Sequence, residues 1–350
     1  MSRPVLGTAE RAAADRVLAS GMLTQGDEVA ALEAEFAATM SGRECVAVAS
    51  GTAALHIGLS SAGIGPGDEV IVPAFTFAAT ANAVIHAGAT PVFADIDPAT
   101  FCLDPAAADS AVTARTAAII PVHLYGHPAD MDSINQLGRR HGLLVLEDAC
   151  QAQGATHREN PAGALADLGA VSFYPTKTMT TGEGGMLVCG DSKTADVARV
   201  LRNQGFGPRQ QALAIGYNAR MTDLAAAIGR VQLGRVPEFL AQRRANAARW
   251  DAALPAALLP YRAAYVESAQ QQYTLRCPDR SAIVAAFAAA GVETRVYYDS
   301  ALHRTDPFRR ANTHSLPVAE AAARHVLSIP VGPHLSAAQT DRVEQVLANL

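Results

Sequence analysis

Two short apolar runs that end in polar, reactive side chains limit the folds open to this chain more than any other feature does. Leu143-Leu144-Val145-Leu146 leads into Glu147-Asp148, and Val171-Ser172-Phe173 leads through Tyr174-Pro175-Thr176 to Lys177. Apolar runs of this length, rich in β-formers, are the pattern of strands buried on both faces, as in parallel sheets covered by helices. In such sheets ligands gather at the strands' carboxyl ends, which makes Asp148 and Lys177 candidate partners in one site.

Lys177 follows Asp148 by 29 residues, enough for one strand to end, a polar loop to intervene and a neighbouring strand to arrive. A carboxylate and an amine delivered this way suit pyridoxal 5'-phosphate. The amine forms an imine with the aldehyde, and the carboxylate keeps the pyridine nitrogen protonated so that the ring accepts electrons. The same two residues suit an ordinary structural salt bridge, and by themselves they leave both readings open.

The rest of the chain repeats the strand-then-helix pattern. Strands are expected at Val46–Ala49, Asp68–Pro73, Thr90–Asp95, Ala118–Val122, Leu143–Glu147, Ala170–Phe173 and Gly185–Val188. Helices are expected at Asp27–Met40, Ala53–Ala62, Ala78–Gly88 and Met131–His141. This alternation predicts an α/β domain around a mostly parallel sheet, with Ser50, Phe77, Asp148 and Lys177 at its carboxyl edge. Ser50-Gly51-Thr52 would open the second helix, where free backbone N–H groups and hydroxyls can hold a phosphate or simply form an N-cap. Phe77 could cover an aromatic cofactor or fill core. Gly182-Glu183-Gly184-Gly185 supplies a tight turn.

A chain of 350 residues suggests one large and one smaller domain, here 1–235 and 236–350. Leu224–Leu240 reads as a helix bridging the two. Beyond it, Ser281 would cap an Ala-rich helix ended by Gly291, Val292–Tyr298 would form a strand, and Ser336-x-x-Gln339 is a capping box before the last helix. The formal net charge of −5 argues against a general affinity for nucleic acid or anionic membrane. Five scattered cysteines without a C-x-x-C pair, and ten histidines without H-x-x-x-H, indicate neither a disulfide framework nor a metal site. Met1-Ser2-Arg3-Pro4 leads into a charged helical pattern, and no later segment has the unbroken apolar length of a membrane span, so a cytoplasmic, soluble protein is expected.

The motifs taken together are more specific. Ser50-Gly51-Thr52-Ala53-Ala54-Leu55, Glu147-Asp148-Ala149-Cys150-Gln151-Ala152, Phe173-Tyr174-Pro175-Thr176-Lys177, Gly182-Glu183-Gly184-Gly185 and Gly216-Tyr217-Asn218-Ala219-Arg220-Met221-Thr222-Asp223 occur in the order seen in DegT-type sugar aminotransferases. The chain resembles that family from Ser20-Gly21-Met22-Leu23-Thr24-Gln25-Gly26 to Leu327-Ser328-Ile329-Pro330. The resemblance implies the aspartate aminotransferase fold, called fold type I, a homodimer, and pyridoxal 5'-phosphate. It makes Lys177 the imine-forming lysine and Asp148 the partner of the pyridine nitrogen. Gln151 would bond the cofactor's phenolic oxygen, and Phe77 would stack on its ring. Gly51, Thr52 and Ser172 would hold its phosphate, joined by Asn218 from the other subunit. The implied reaction transfers an amino group, usually from glutamate, to the ketone of a nucleotide-linked sugar, in two half-reactions.

Some positions depart from the pattern. Gln153 stands where His is common, Thr178 where Asn commonly follows the lysine, and Gln271-Gln272-Tyr273 where His-x-Tyr is frequent. Neither of the first two removes a reacting group, while the third leaves substrate contacts open. A cyclitol ketone is an alternative substrate. The sugar 3-dehydratase branch replaces the lysine by His, and a non-catalytic regulator would be expected to lose Lys177 or Asp148 or to gain a DNA-binding module.

Overall fold

The computed structural model describes residues 2–309 and 314–350; Met1 lies outside the described residues. Helices α1 (Thr8–Ser20) and α2 (Asp27–Thr39) precede β1 (Glu44–Val48), α3 (Gly51–Ser61), β2 (Glu69–Pro73), α4 (Ala79–His86) and β3 (Thr90–Ala94). Next come α5 (Pro105–Ser110), β4 (Thr116–Ile119), α6 (Met131–His141), β5 (Leu144–Asp148) and a small hairpin, β6 (Thr156–His157) and β7 (Asn160–Pro161). β8 (Leu168–Ser172), β9 (Gly185–Cys189) and α7 (Ser192–Arg202) complete the larger unit, and α8 (Asp223–Ala253) leads out of it. After α8 come β10 (Val266–Glu267), which pairs with β6, then β11 (Tyr273–Arg276), α9 (Arg280–Ala289), α10 (Pro317–His325), β12 (Val326–Ile329) and α11 (Ala337–Leu347).

The main sheet has the order β1-β9-β8-β5-β4-β2-β3, and only β9 runs against the others. Successive side chains of a strand point to opposite faces, and here both faces are buried. Val46 and Val48 of β1 enter one core with Leu187 of β9, while Cys45 and Ala47 enter the other with Met186 and Val188. That is why these strands read as nearly unbroken apolar runs. Register brings three ends together: Val48 and Ser172 both pair with Gly185. A Cβ on Gly185 would lie 2.5 Å from the Ser50 carbonyl carbon, so the turn after β1 seats directly on β9 because that residue is glycine.

Helix α8 is 31 residues long and runs well past Leu240, through Pro237 and across residue 235. Up to Leu240 it packs on the large core, through Val236 and Leu240, and beyond that on a second core, through Ala247 and Trp250. This continuation has a packing cause, since Arg243, Ala247 and Trp250 keep one face buried. Two other expectations are corrected. The cap of α9 is Asp279, which accepts the Ser281 N–H at 2.9 Å. Val292–Tyr298 is not a strand: β12 pairs with β11, and only Arg295 bridges to Ser328 before the chain turns into the site. The Ser336–Gln339 capping box forms as expected. Among the described residues, no helix is long and apolar enough to cross a membrane.

Candidate active site

The carboxyl edge of the sheet gathers the expected residues. Asp148, the last residue of β5, is 5% exposed. Its main chain is fixed by N–H donation to the Pro121 carbonyl at 2.8 Å and by acceptance from the His123 N–H at 3.1 Å. Its carboxylate accepts the Thr80 hydroxyl at 2.7 Å and the Cys150 N–H at 3.2 Å. One oxygen edge is thus oriented by α4, and the group is held in the low-dielectric interior where its charge acts strongly.

The residue before it anchors the strand end. Glu147 is fully buried and accepts from the N–H groups of Gly163, Leu165 and Ala166 at 2.6–2.8 Å. His123 Nδ1 accepts the Ala129 N–H at 3.1 Å, so its proton lies on Nε2, which donates to Glu147 at 2.8 Å.

Lys177 lies in the loop between β8 and β9, its N–H donating to the Tyr174 carbonyl at 2.9 Å. Burial of the amine pushes its pKa below the ordinary lysine value, against the opposing pull of Cys150 and Asp148 nearby. The neutral, nucleophilic form is therefore more accessible than in a free lysine. The chain contains only two lysines, and Lys193 is an exposed residue on α7.

Next to this loop is a cradle fit for a phosphate. Gly51 and Thr52 open α3, where the first-turn N–H groups have no partner within the helix, and Ser50 caps it by accepting the Ala53 N–H at 3.1 Å. A Cβ on Gly51 would sit 2.7 Å from Cys150 Sγ and 2.8 Å from Ser172 Cβ. The helix start and the end of β8 thus meet with no room to spare. Phe77 leaves 58% of its surface exposed, unusual for a phenylalanine beside a strand end, and presents a free ring face.

Gln151 is buried and spans two elements: its Oε1 accepts the Tyr125 N–H at 2.9 Å and its Nε2 donates to the Tyr298 hydroxyl at 3.1 Å. Tyr298 lies in the segment after α9 and was not signalled by any motif. Its ring lies 6.1 Å from that of Phe77 and 6.1 Å from that of Phe75. Burial raises the phenol's pKa, keeping it protonated. Thr80 was also missed, although its place one turn after Thr76 is a readable helical spacing. Asn218 is exposed and bridged through its backbone to Asn203, and the next residue, Ala219, accepts the Ala49 N–H at 2.9 Å just ahead of the cradle. Tyr273 is core, bonded through its hydroxyl to Asp251 at 2.6 Å. Asp130, Asp132 and His157 place one potential metal-ligand atom each within 4.8 Å of one another, but Asp132 is paired with Arg158 and Asp130 caps α6.

A buried amine of lowered pKa, an oriented carboxylate, a glycine-lined helix start and an uncovered aromatic ring fit the amine-reactive aldehyde, ring nitrogen, phosphate and flat ring of pyridoxal phosphate. Fold and site define the class: a pyridoxal phosphate-dependent aminotransferase of fold type I. Residues 4–348 match the DegT/DnrJ/EryC1/StrS aminotransferase family, and the chain belongs to that family. It is similar to dTDP-3-amino-3,4,6-trideoxy-alpha-D-glucose transaminase of Streptomyces venezuelae, 41% identical over 338 residues, 95% of this chain and 89% of that one. A pleiotropic regulatory protein of Geobacillus stearothermophilus is 41% identical over 342 residues, covering 95% of this chain and 92% of that one. Among solved structures, S. venezuelae DesV in complex with a ketimine intermediate superposes with a TM-score of 0.94 at 39% identity, covering 97% of this chain and 93% of that one.

Proposed function

We propose that this chain transfers an amino group from glutamate to the ketone of a nucleotide-linked sugar, working in the cytoplasm as a homodimer. Residues 1–235 form the cofactor-holding unit and 236–350 the smaller unit that closes on it. The observation that carries the reading is the meeting of Lys177, Asp148, Gly51, Ser172 and Gln151 at one edge of the sheet, with Phe77 at its mouth.

When bound, pyridoxal phosphate supplies an electron sink conjugated to the reacting carbon. Asp148, oriented by Thr80 and the Cys150 N–H, holds a proton on the ring nitrogen. Gly51, Thr52 and Ser172 receive the phosphate, and Gln151 bonds the phenolic oxygen. Phe77 and Tyr298, whose rings lie 6.1 Å apart, would border the ring and limit the entry of water. The amine of Lys177 would anchor the cofactor and, when free, would accept or return a proton at Nζ.

The second subunit enters through the loop before α8. Asn218 is exposed there beside Leu213 and Ile215, which are 59% and 93% exposed, apolar surface of the kind a second chain covers. Asn218 would then complete the phosphate site of the partner. The cysteines are free and four of the five are buried, in keeping with a reducing compartment. A regulator needs neither a lysine of lowered pKa nor an oriented carboxylate, and this chain has both. Incubation of the purified protein with glutamate and a panel of nucleotide-linked keto-sugars and cyclitol ketones, read by product mass, tests the reading. Amination of a nucleotide-linked ketone supports it, and amination confined to free cyclitols overturns the substrate class.

A further inference from the structure

The loop that carries Lys177 closes its ends by itself, and within it the Lys177 N–H donates to the Tyr174 carbonyl at 2.9 Å. Thr181 N–H and the Thr180 hydroxyl both donate to the Phe173 carbonyl, at 3.0 and 2.9 Å, tying the loop's two arms together. The Thr176 carbonyl and the Thr178 hydroxyl are held from outside, by the segment that leads into β11. Gln271, 1% exposed and two residues before β11, reaches across and donates from Nε2 to the Thr176 carbonyl at 2.6 Å. Its Oε1 accepts the Thr178 hydroxyl at 3.4 Å. One amide therefore grips both neighbours of Lys177, and an amide suits the task because it offers a donor and an acceptor side by side.

Gln271 is itself fixed to the helix that joins the two domains. Arg243 of α8, buried, donates from Nη1 to the carbonyls of Gln270 and Gln271 at 3.1 and 3.2 Å. A second buried glutamine, Gln232 of α8, accepts the Thr180 N–H at 3.3 Å and donates to Glu10 at 2.6 Å. The lysine loop thus lies between two amides, one of which belongs to the small domain.

We propose that Gln271 is a positioning residue: by clamping Thr176 and Thr178 it makes the direction of the Lys177 amine depend on how the small domain is seated against the large one. The proposal rests on Lys177 being the cofactor-linked amine. It predicts that the clamp contributes little to substrate binding and much to turnover. Buried hydrogen bonds at a loop also set how readily that loop opens.

The test uses Gln271→Met, which keeps length and apolar bulk but loses both bonds, and Thr178→Val, which loses one. Hydrogen exchange of the cofactor-free protein is compared between residues 174–181 and α6 as internal control. The loop should exchange about tenfold faster in Gln271→Met and about threefold faster in Thr178→Val, with α6 unchanged, as loss of two or one buried hydrogen bonds implies. In the loaded enzyme kcat should fall about tenfold or more in Gln271→Met, with KM for glutamate within about threefold, the pattern of a misplaced reacting group. Loop exchange within twofold of wild type, or faster exchange spread equally over α6, overturns the clamp. If Gln271→Met fails to fold, Thr178→Val decides alone. Mapping of the cofactor-linked residue in the wild type separates the two levels. Linkage at Lys177 with unchanged loop exchange overturns the clamp only, whereas linkage elsewhere overturns the reading beneath it.

Discussion

Gln151, in the loop after β5, donates a hydrogen bond of 3.1 Å to the hydroxyl of Tyr298, 147 residues further along the chain. The same Tyr298 ring borders Phe77. Tyr298→Phe should keep that packing and lose the bond. Cofactor affinity is expected to fall about fivefold to tenfold, the usual worth of one buried neutral hydrogen bond. Equilibrium dialysis with pyridoxal phosphate measures it, and an unchanged Kd would remove Tyr298 from the site.

Gly51→Ala is a sharper test of the cradle. The added methyl meets Cys150 Sγ at 2.7 Å and Ser172 Cβ at 2.8 Å, and the Ser172 Cβ is fixed to its backbone and cannot swing away. The start of α3 must then move off β8. Overpacking of this kind costs roughly 1–3 kcal/mol, so a lowered Tm and a cofactor Kd weakened by tenfold or more are expected. Retention of wild-type affinity would show that the helix start is not where the phosphate sits.

Much of this geometry was legible in the chain. The strands around Asp148 and Lys177 read clearly because both faces are buried, which leaves unbroken apolar runs, and Met131–His141 was readable from its periodicity and its flanking Asp130 and Gly142. Asp148 ends a strand and Phe77 and Lys177 follow strand ends, so their meeting could be expected from topology. What the chain beyond α8 contributes could not. Tyr298 lies in a run that reads as a strand, yet the only pairing available to it is the Arg295–Ser328 bridge. Gln271 looked like a departure from a substrate motif, and its actual contacts are to the backbone and hydroxyl beside Lys177. The length of α8 was hidden by a change of packing partner beyond Leu240. Such long-range contacts leave no local periodic signal.

Asp148→Asn keeps size and the Thr80 contact, since the remaining carbonyl oxygen can still accept. It removes the charge. Transamination should drop by several orders of magnitude while folding is preserved, because the variant no longer holds a proton on the cofactor's ring nitrogen. Stopped-flow absorbance on adding glutamate would follow it, and turnover near wild type would contradict the assigned role.

Shared sites can be tested by mixing. Chains carrying Lys177→Ala and chains carrying Asn218→Ala are each impaired; in a mixed dimer with Asn218 acting across the interface, one site bears both lesions and the other bears none. Activity should return to about a quarter of wild type at equal mixing if exchange is random, as the binding of cofactor to a two-chain site requires. Verified subunit exchange without recovery beyond the Asn218→Ala dimer would confine Asn218 to its own chain.

The most direct measurement uses the chain's two lysines, Lys177 and Lys193. The cofactor-loaded enzyme is reduced with borohydride, digested and mapped by mass spectrometry. The cofactor should be fixed to the peptide containing Lys177, with Lys193 unmodified, and prior treatment with glutamate should abolish the label. Fixation to Lys193, or to no residue of a fully loaded enzyme, would contradict the account.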